Sequence, residues 1–210
     1  MKLQELGIVP FMVSVLESVF PSKKAIVSKA NRLEDSNEII RLKRGLYVVA
    51  PEVSGKRLNE FLIANHIYGP SYVSMQTALR YYGLIPERVY EIMSMTTGLH
   101  KTFTNSIAVF SYIHCPAAYY NLGIDLREEN DVHYMIASPE KALCDMLIYT
   151  SNLNLRYMGE LVSFLENNIR FDMDSLSDFN IDLIRKIRDN GRKKAMLTQL
   201  IKLIEDERGV

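Results

Sequence analysis

The sequence is poor in the features that mark whole functional classes. Only Cys115 and Cys144 are cysteines among 210 residues, and they have no CxxC spacing. A disulfide framework is therefore not expected, and the thiols read as the reduced cysteines of a cytoplasmic protein. No uninterrupted apolar run reaches the roughly 18 residues that suggest a bilayer span. The opening segment, MKLQELGIVPFMVSVLESVF, carries Glu5 and Glu17 and no small-residue cleavage site, so neither a signal peptide nor a membrane partner is expected. The phosphate-cradling patterns GxGxxG and GxxxxGK[ST] are missing, and no cofactor is expected. Net charge is missing too: Lys+Arg and Asp+Glu both number 25, so the whole-chain charge points to no class of partner.

What is present is an ordinary globular composition, 48% apolar and 24% charged, in a chain long enough for one large or two modest cores. The charge is unevenly placed. Residues 1–50 hold eight Lys/Arg against five Asp/Glu, and residues 61–150 hold five against eight. A basic front and an acidic middle suggest two units with different partners.

The front has its own pattern. PFMVSVLESVFP predicts one helix, with Pro10 at its first position, Met12, Val15, Leu16 and Val19 at helical spacing, and Pro21 as its stop. SKKAIVSKANRLEDSNE predicts a second, capped by Ser22. Ile26, Ala30 and Leu33 form its narrow apolar stripe, and Lys24, Ser28, Asn31 and Arg32 gather opposite. IIRLKRGLYVVA then reads as a hairpin. A three-residue loop, Lys43-Arg44-Gly45, pairs Leu42 with Leu46 and Ile40 with Val48, putting four aliphatics on one face and Arg41 with Tyr47 on the other. It also sets Gly45 where a positive φ is wanted. Helix, helix, basic-tipped hairpin is the order of a winged helix-turn-helix, in which a helix enters the major groove and the wing lies on the backbone. A solvated helix face with a charged turn would show the same residues.

Residues 56–69 predict a helix burying Leu58, Phe61, Leu62 and Ile67, and SYVSMQTALRYYGLIPE predicts another, capped by Ser71 or Ser74 and stopped at Gly83. VYEIMSMTT, SIAVFSYI and VHYMIA read as strands of a small, mostly antiparallel sheet. ASPEKALCDMLIYT opens a helix with Ser138 as cap, Pro139 first and Glu140 complementing the dipole. From Tyr157 onward the pattern is helical, with Gly191 splitting the last two helices.

Three of these blocks, RLKRGLYVV, SYVSMQTALRYYGLIPE and ASPEKALCDML, in this order and at these separations, resemble the AbiEi-type antitoxins of type IV toxin–antitoxin systems, named for abortive phage infection. The resemblance spans about residues 10–150. It implies a winged-helix front that binds and represses its own promoter. It also implies a C-terminal part that counteracts a nucleotidyltransferase-like toxin. Carried onto this chain, the implied DNA-contacting positions are Lys24, Ser28, Asn31 and Arg32 on the helix and Arg41, Lys43, Arg44 and Tyr47 on the wing.

Other residues have side chains capable of chemistry. Ser138, Glu140, Lys141 and Asp145 form no recognised catalytic spacing, and capping already accounts for the first and second. His66, His100, His114 and His133 are scattered, so no metal site is expected. Arg185, Lys186, Arg188, Arg192, Lys193 and Lys194 fall together with one acid, Asp189, and read either as a solvated turn or as a second patch for a DNA backbone or an acidic partner. The expected fold is α+β: a winged helix-turn-helix at 1–55, a mixed α/β body at 56–150 and a helical region at 151–210 packing on it. The expected function is a non-enzymatic antitoxin and autorepressor whose partners are operator DNA and a toxin. The alternative is a winged module that binds protein and not DNA.

Overall fold

The computed structural model describes residues 2–20, 26–87 and 90–209. The chain is α+β and ends in a helix. A 3-10 turn, Leu3–Leu6, precedes strand β1 (Phe11–Met12), a second 3-10 turn (Val13–Val15) and the short helix α1 (Leu16–Val19). The single helix expected across 10–20 is thus corrected. Phe11 and Met12 pair antiparallel with Tyr47 and Leu46, and extended backbone is what lets the Phe11 ring reach the core. The cap and stop expected at Ser22 and Pro21 lie outside the described residues.

Helix α2 (Ile26–Asp35) leads into β2 (Ile39–Lys43) and β3 (Leu46–Val49), and the three front strands form an antiparallel sheet in the order β1-β3-β2. The parity argument holds through Ile40↔Val48 and Arg41↔Tyr47. Beyond it the register slips. Lys43 stands opposite Leu46, Leu42 bulges, and the turn shortens to Arg44-Gly45, with Gly45 at φ +80°. The cause lies outside the hairpin: the Asn105 amide donates to the Leu42 carbonyl (3.1 Å), taking that group out of the ladder.

The hairpin is covered on both sides. Leu42, Leu46 and Val48 enter the main core, while Ile39, Tyr47 and Val49 join a second core with Leu3, Phe11, Leu16, Ala30 and Leu33. The outward Tyr47 of the sequence reading is therefore corrected. Leu3, Leu16 and the α2 residues Ala30 and Leu33 pack on that face, leaving Tyr47 4% exposed.

The body runs α3 (Pro51–Ser54), α4 (Glu60–Ile67), β4 (Ser71–Val73), α5 (Met75–Tyr81), β5 (Glu91–Thr96), β6 (Lys101–Thr104), β7 (Val109–His114), α6 (Ala117–Tyr120), β8 (Ile124–Glu129), β9 (Val132–Ala137) and α7 (Pro139–Tyr149). Its sheet has the order β6-β7-β5-β4-β9-β8. The pairs β5–β7 and β4–β9 are parallel and the others antiparallel. The three strands expected from sequence are there. The three added ones are short or polar: β4 has three residues, while KTFT and IDLREE form the exposed edges.

Helices cover both faces of this sheet. The Tyr112 hydroxyl donates to the Ala64 carbonyl in α4, whereas the next residue, Ile113, lies with Met146 and Tyr149 of α7. Asn59 caps α4 by accepting from the Phe61 and Leu62 amides, and Ser138 caps α7 by accepting from Lys141. Ser74 sits at the start of α5 but turns its hydroxyl inward to Asp145.

Helix α8 (Met158–Ser163) continues as a π-helical stretch to Asn168; a 3-10 helix (Met173–Asp178) and the pair α9 (Ile181–Asn190) and α10 (Lys194–Glu207) follow. Leu161, Ile184, Ile187, Leu197, Leu200 and Ile204 merge with the main core, each contributing about 1.5–3 kcal/mol by leaving water. Among the described residues no helix is long and apolar enough to cross a membrane.

Candidate nucleic-acid interface

Helix α2 buries Ala30 and Leu33 and turns Val27, Ser28, Asn31 and Arg32 to solvent, so the sorting expected of its two faces is observed. Lys24 lies outside the described residues. Lys29 belongs to neither group, since its ammonium stacks 4.4 Å from the Phe20 ring centre. Asp35, at the far end, is exposed and would repel a phosphate. The end of the helix suited to an anionic groove is therefore the one carrying Val27, Ser28 and Asn31.

The four hairpin residues have different fates. Arg44 sits on the turn, exposed and without a partner among the described residues. Arg41 is directed at α2: one guanidinium nitrogen reaches the Glu34 carboxylate (2.5 Å) and the Asn31 carboxamide oxygen (3.1 Å). Lys43 does not project. Because the bulge at Leu42 rotates it toward the body, its ammonium donates to the Ile67 carbonyl at the end of α4 and lies 5.9 Å from the Phe103 ring centre. It neutralises a helix C-terminus, where a cation is favoured. Tyr47 is buried, as described above.

The body adds residues the sequence did not point to. A cleft of about 430 Å³ opens between the hairpin, the end of α2 and the β6–β7 turn, with Arg41, Arg44, Thr104, Asn105 and Ser106 in its walls. Asn105 holds this turn in place, accepting from the Ile107 and Ala108 amides while donating to Leu42. Residues 63 apart in sequence make that bond, and no local signal could have announced it.

The C-terminal basic cluster is largely internally satisfied. Arg185 bridges Asp182 and Glu205, and Arg188 pairs with Asp189, whose carboxyl is held below its ordinary range by that guanidinium. Lys193 donates to the Leu147 and Thr150 carbonyls at the end of α7. Burial lowers its ammonium from the ordinary value. Lys186, Arg192 and Lys194 remain exposed and unpaired among the described residues. Six cations on paper therefore amount to three that a partner could use.

Convergence occurs instead where the sequence showed none. Lys141 and Asp145, one helical turn apart on α7, are both fully buried, with Nζ 3.4 Å from the carboxylate. Asp145 accepts from Tyr119 (2.5 Å), Ser74 (2.6 Å) and Tyr72 (3.0 Å). Lys141 donates to the Tyr119 carbonyl and sits 3.1 Å from that ring's centre. Burial pulls the Lys141 ammonium down and pushes the Tyr72 and Tyr119 hydroxyls well up, with Asp145 opposing the first and reinforcing the second. The thiol of Cys115 is raised to about 12, chiefly by burial. Glu140 faces elsewhere, accepting from Ser138 and from the Asn180 amide. The cluster is zipped to itself and offers no exposed reacting atom.

Three histidines have partners: His66 the Leu62 carbonyl, His114 the Gly98 carbonyl and His133 the Glu128 carboxylate. Among the described residues, no three His, Cys, Asp or Glu side chains gather as a metal site would require. The chain matches no protein-family model and no curated protein. The surface of α2 and the hairpin turn must be interpreted from its own chemistry.

Proposed function

We propose that this chain is a DNA-binding autorepressor of the antitoxin type, working in the cytoplasm without catalysis. Its front is read as a winged helix-turn-helix: a 3-10 turn, β1, α1, α2 and the β2–β3 hairpin, with sheet order β1-β3-β2, follow the chain order of that motif. The observation that carries the reading is the contact of Arg41 with Asn31. It joins the hairpin to the exposed side of α2, so that Ser28, Asn31, Arg32 and the Arg44 turn can face one duplex. Ser28 and Asn31 then meet base edges in the major groove, and Arg44 lies on the backbone. Repression follows from occupying the promoter. The antagonised partner, a nucleotidyltransferase-like toxin, rests on the resemblance of the three sequence blocks alone.

The test is electrophoretic shift on the duplex upstream of the chain's own reading frame and on a scrambled duplex, across salt concentrations. Arg44→Ala should weaken both complexes alike and reduce the slope of log K against log salt by about 0.9, the share of one phosphate contact. Asn31→Ala should erode the preference for the upstream duplex. A wild-type chain that binds neither duplex removes the proposal.

A second reading has its own support. Glu34 neutralises Arg41, Lys43 caps α4, and Asp35 is exposed beside the helix face. Such a front suits a winged module that engages protein, and it predicts no retention on nonspecific DNA at low salt.

A further inference from the structure

We infer that Arg41 is a positioning residue and not a phosphate ligand: it sets the orientation of the Asn31 carboxamide so that α2 reads an adenine. The inference rests on the DNA-binding reading above and assigns one residue of it a different task from the one its charge suggests.

The geometry separates Arg41 from Arg44. The Arg41 guanidinium meets the Glu34 carboxylate at 2.5 Å and lies 5.6 Å from the centre of the Tyr47 ring, its cross-strand partner. A phosphate approaching it would have to displace a carboxylate already in contact. Arg44, three residues beyond the last regular pair, has no such competitor.

The same nitrogen that meets Glu34 also donates to the Asn31 side-chain oxygen at 3.1 Å. This bond tells the two ends of the amide apart. With the oxygen toward Arg41, the NH₂ group faces away; the reverse orientation would set donor against donor. Adenine in the major groove presents N7 as an acceptor and N6–H as a donor. An Asn held this way offers N7 its NH₂, and the second lone pair of its oxygen remains for N6–H. Side-chain rotation is thus restricted before DNA arrives, and the clamp connects the residue that reads sequence to the strand that carries the backbone-binding turn.

The experiment compares Arg41→Ala, Arg41→Lys, Asn31→Ala and the double alanine variant. Each is measured on the upstream duplex and on versions substituted one base pair at a time, with a salt titration for each protein. A positioning role predicts that Arg41→Ala loses about 2- to 12-fold of the discrimination at whichever A·T pair Asn31→Ala identifies, the scale of freeing one side chain. The salt slope stays at the wild-type value. Arg41→Lys should not rescue discrimination, because the three donors of an ammonium rotate freely and fix no direction toward Asn31, whereas the NH₂ of a planar guanidinium does. The double variant should discriminate no worse than Asn31→Ala. In the DNA-free protein, the Asn31 side-chain amide should be ordered by NMR relaxation and lose that order in both Arg41 variants. The inference is overturned if Arg41→Ala lowers the slope by about 0.9 and Arg41→Lys restores it, the signature of a phosphate contact. It is also overturned if the amide is equally ordered without the guanidinium. A wild-type chain that shows no sequence preference, while the amide loses order as expected, removes the DNA reading and leaves the clamp as architecture alone.

Discussion

Replacing Asp145 with alanine tests the interior of this protein most severely. The carboxylate lies 3.4 Å from the Lys141 ammonium, and neither side chain reaches solvent. With an effective dielectric constant of about 20, two unit charges at that separation attract by about 5 kcal/mol. Removing one member of a buried pair typically costs about 3–5 kcal/mol, because the survivor keeps its desolvation penalty. Here the loss also strands the hydroxyls of Tyr72, Ser74 and Tyr119. The two halves are unequal. Lys141→Met leaves Asp145 with its three hydroxyl donors, so it should cost less, about 2 kcal/mol, a compromise between the charge and hydrogen-bond contributions. In urea, taking a slope of about 2 kcal/mol per molar, Asp145→Ala should lower the midpoint by about 2 M and Lys141→Met by about 1 M. The double variant should cost less than the sum. A midpoint within about 0.5 M of wild type for Asp145→Ala, or a larger loss for Lys141→Met, would refute the electrostatic account.

Two further outcomes follow from the same coordinates. Lys43→Ala and Lys193→Ala each remove a cation from helix-terminal carbonyls, at α4 and α7, and each should destabilise by about 1–2 kcal/mol in urea unfolding. Burial raises the hydroxyls of Tyr72, Tyr112, Tyr119, Tyr120, Tyr134 and Tyr149 above the ordinary value of 10.0. Their contribution to stability is complete below pH 10 and is lost as pH rises toward the folded values. Tyrosinate absorbance from these buried rings should therefore appear in a steep step above the ordinary range, coinciding with loss of helical circular dichroism.

The hairpin shows how far sequence could be followed. Alternation alone places Ile40 opposite Val48 and Arg41 opposite Tyr47, as found. It fails at Leu42 because the deciding bond comes from Asn105, and it fails for Tyr47 because α2, Leu3 and Leu16 cover a face that parity can label only as different. Helix α7 carries its own signal in the sequence. Ala142, Leu143, Cys144, Met146, Leu147 and Ile148 leave it no solvent face, so Lys141 and Asp145, four apart, had nowhere to go except inward together. The C-terminal basic run misled for the opposite reason. Two of its acids lie outside the run: Asp182 stands three residues before Arg185 on the same helix, and Glu205 arrives only when α9 and α10 pack. The surface of α2 was the most legible part, since a helix with a narrow apolar stripe declares its wet side.

A strand pair gripped from two directions makes the amino-terminal unit a poor candidate for excision. Cutting after residue 55 would strip the body from Leu42, Leu46 and Val48, three side chains between 0% and 4% exposed, and hand that aliphatic surface to water. An isolated fragment is then left to self-associate or melt. The amino-terminal unit and the rest of the molecule stand or fall as one folding unit.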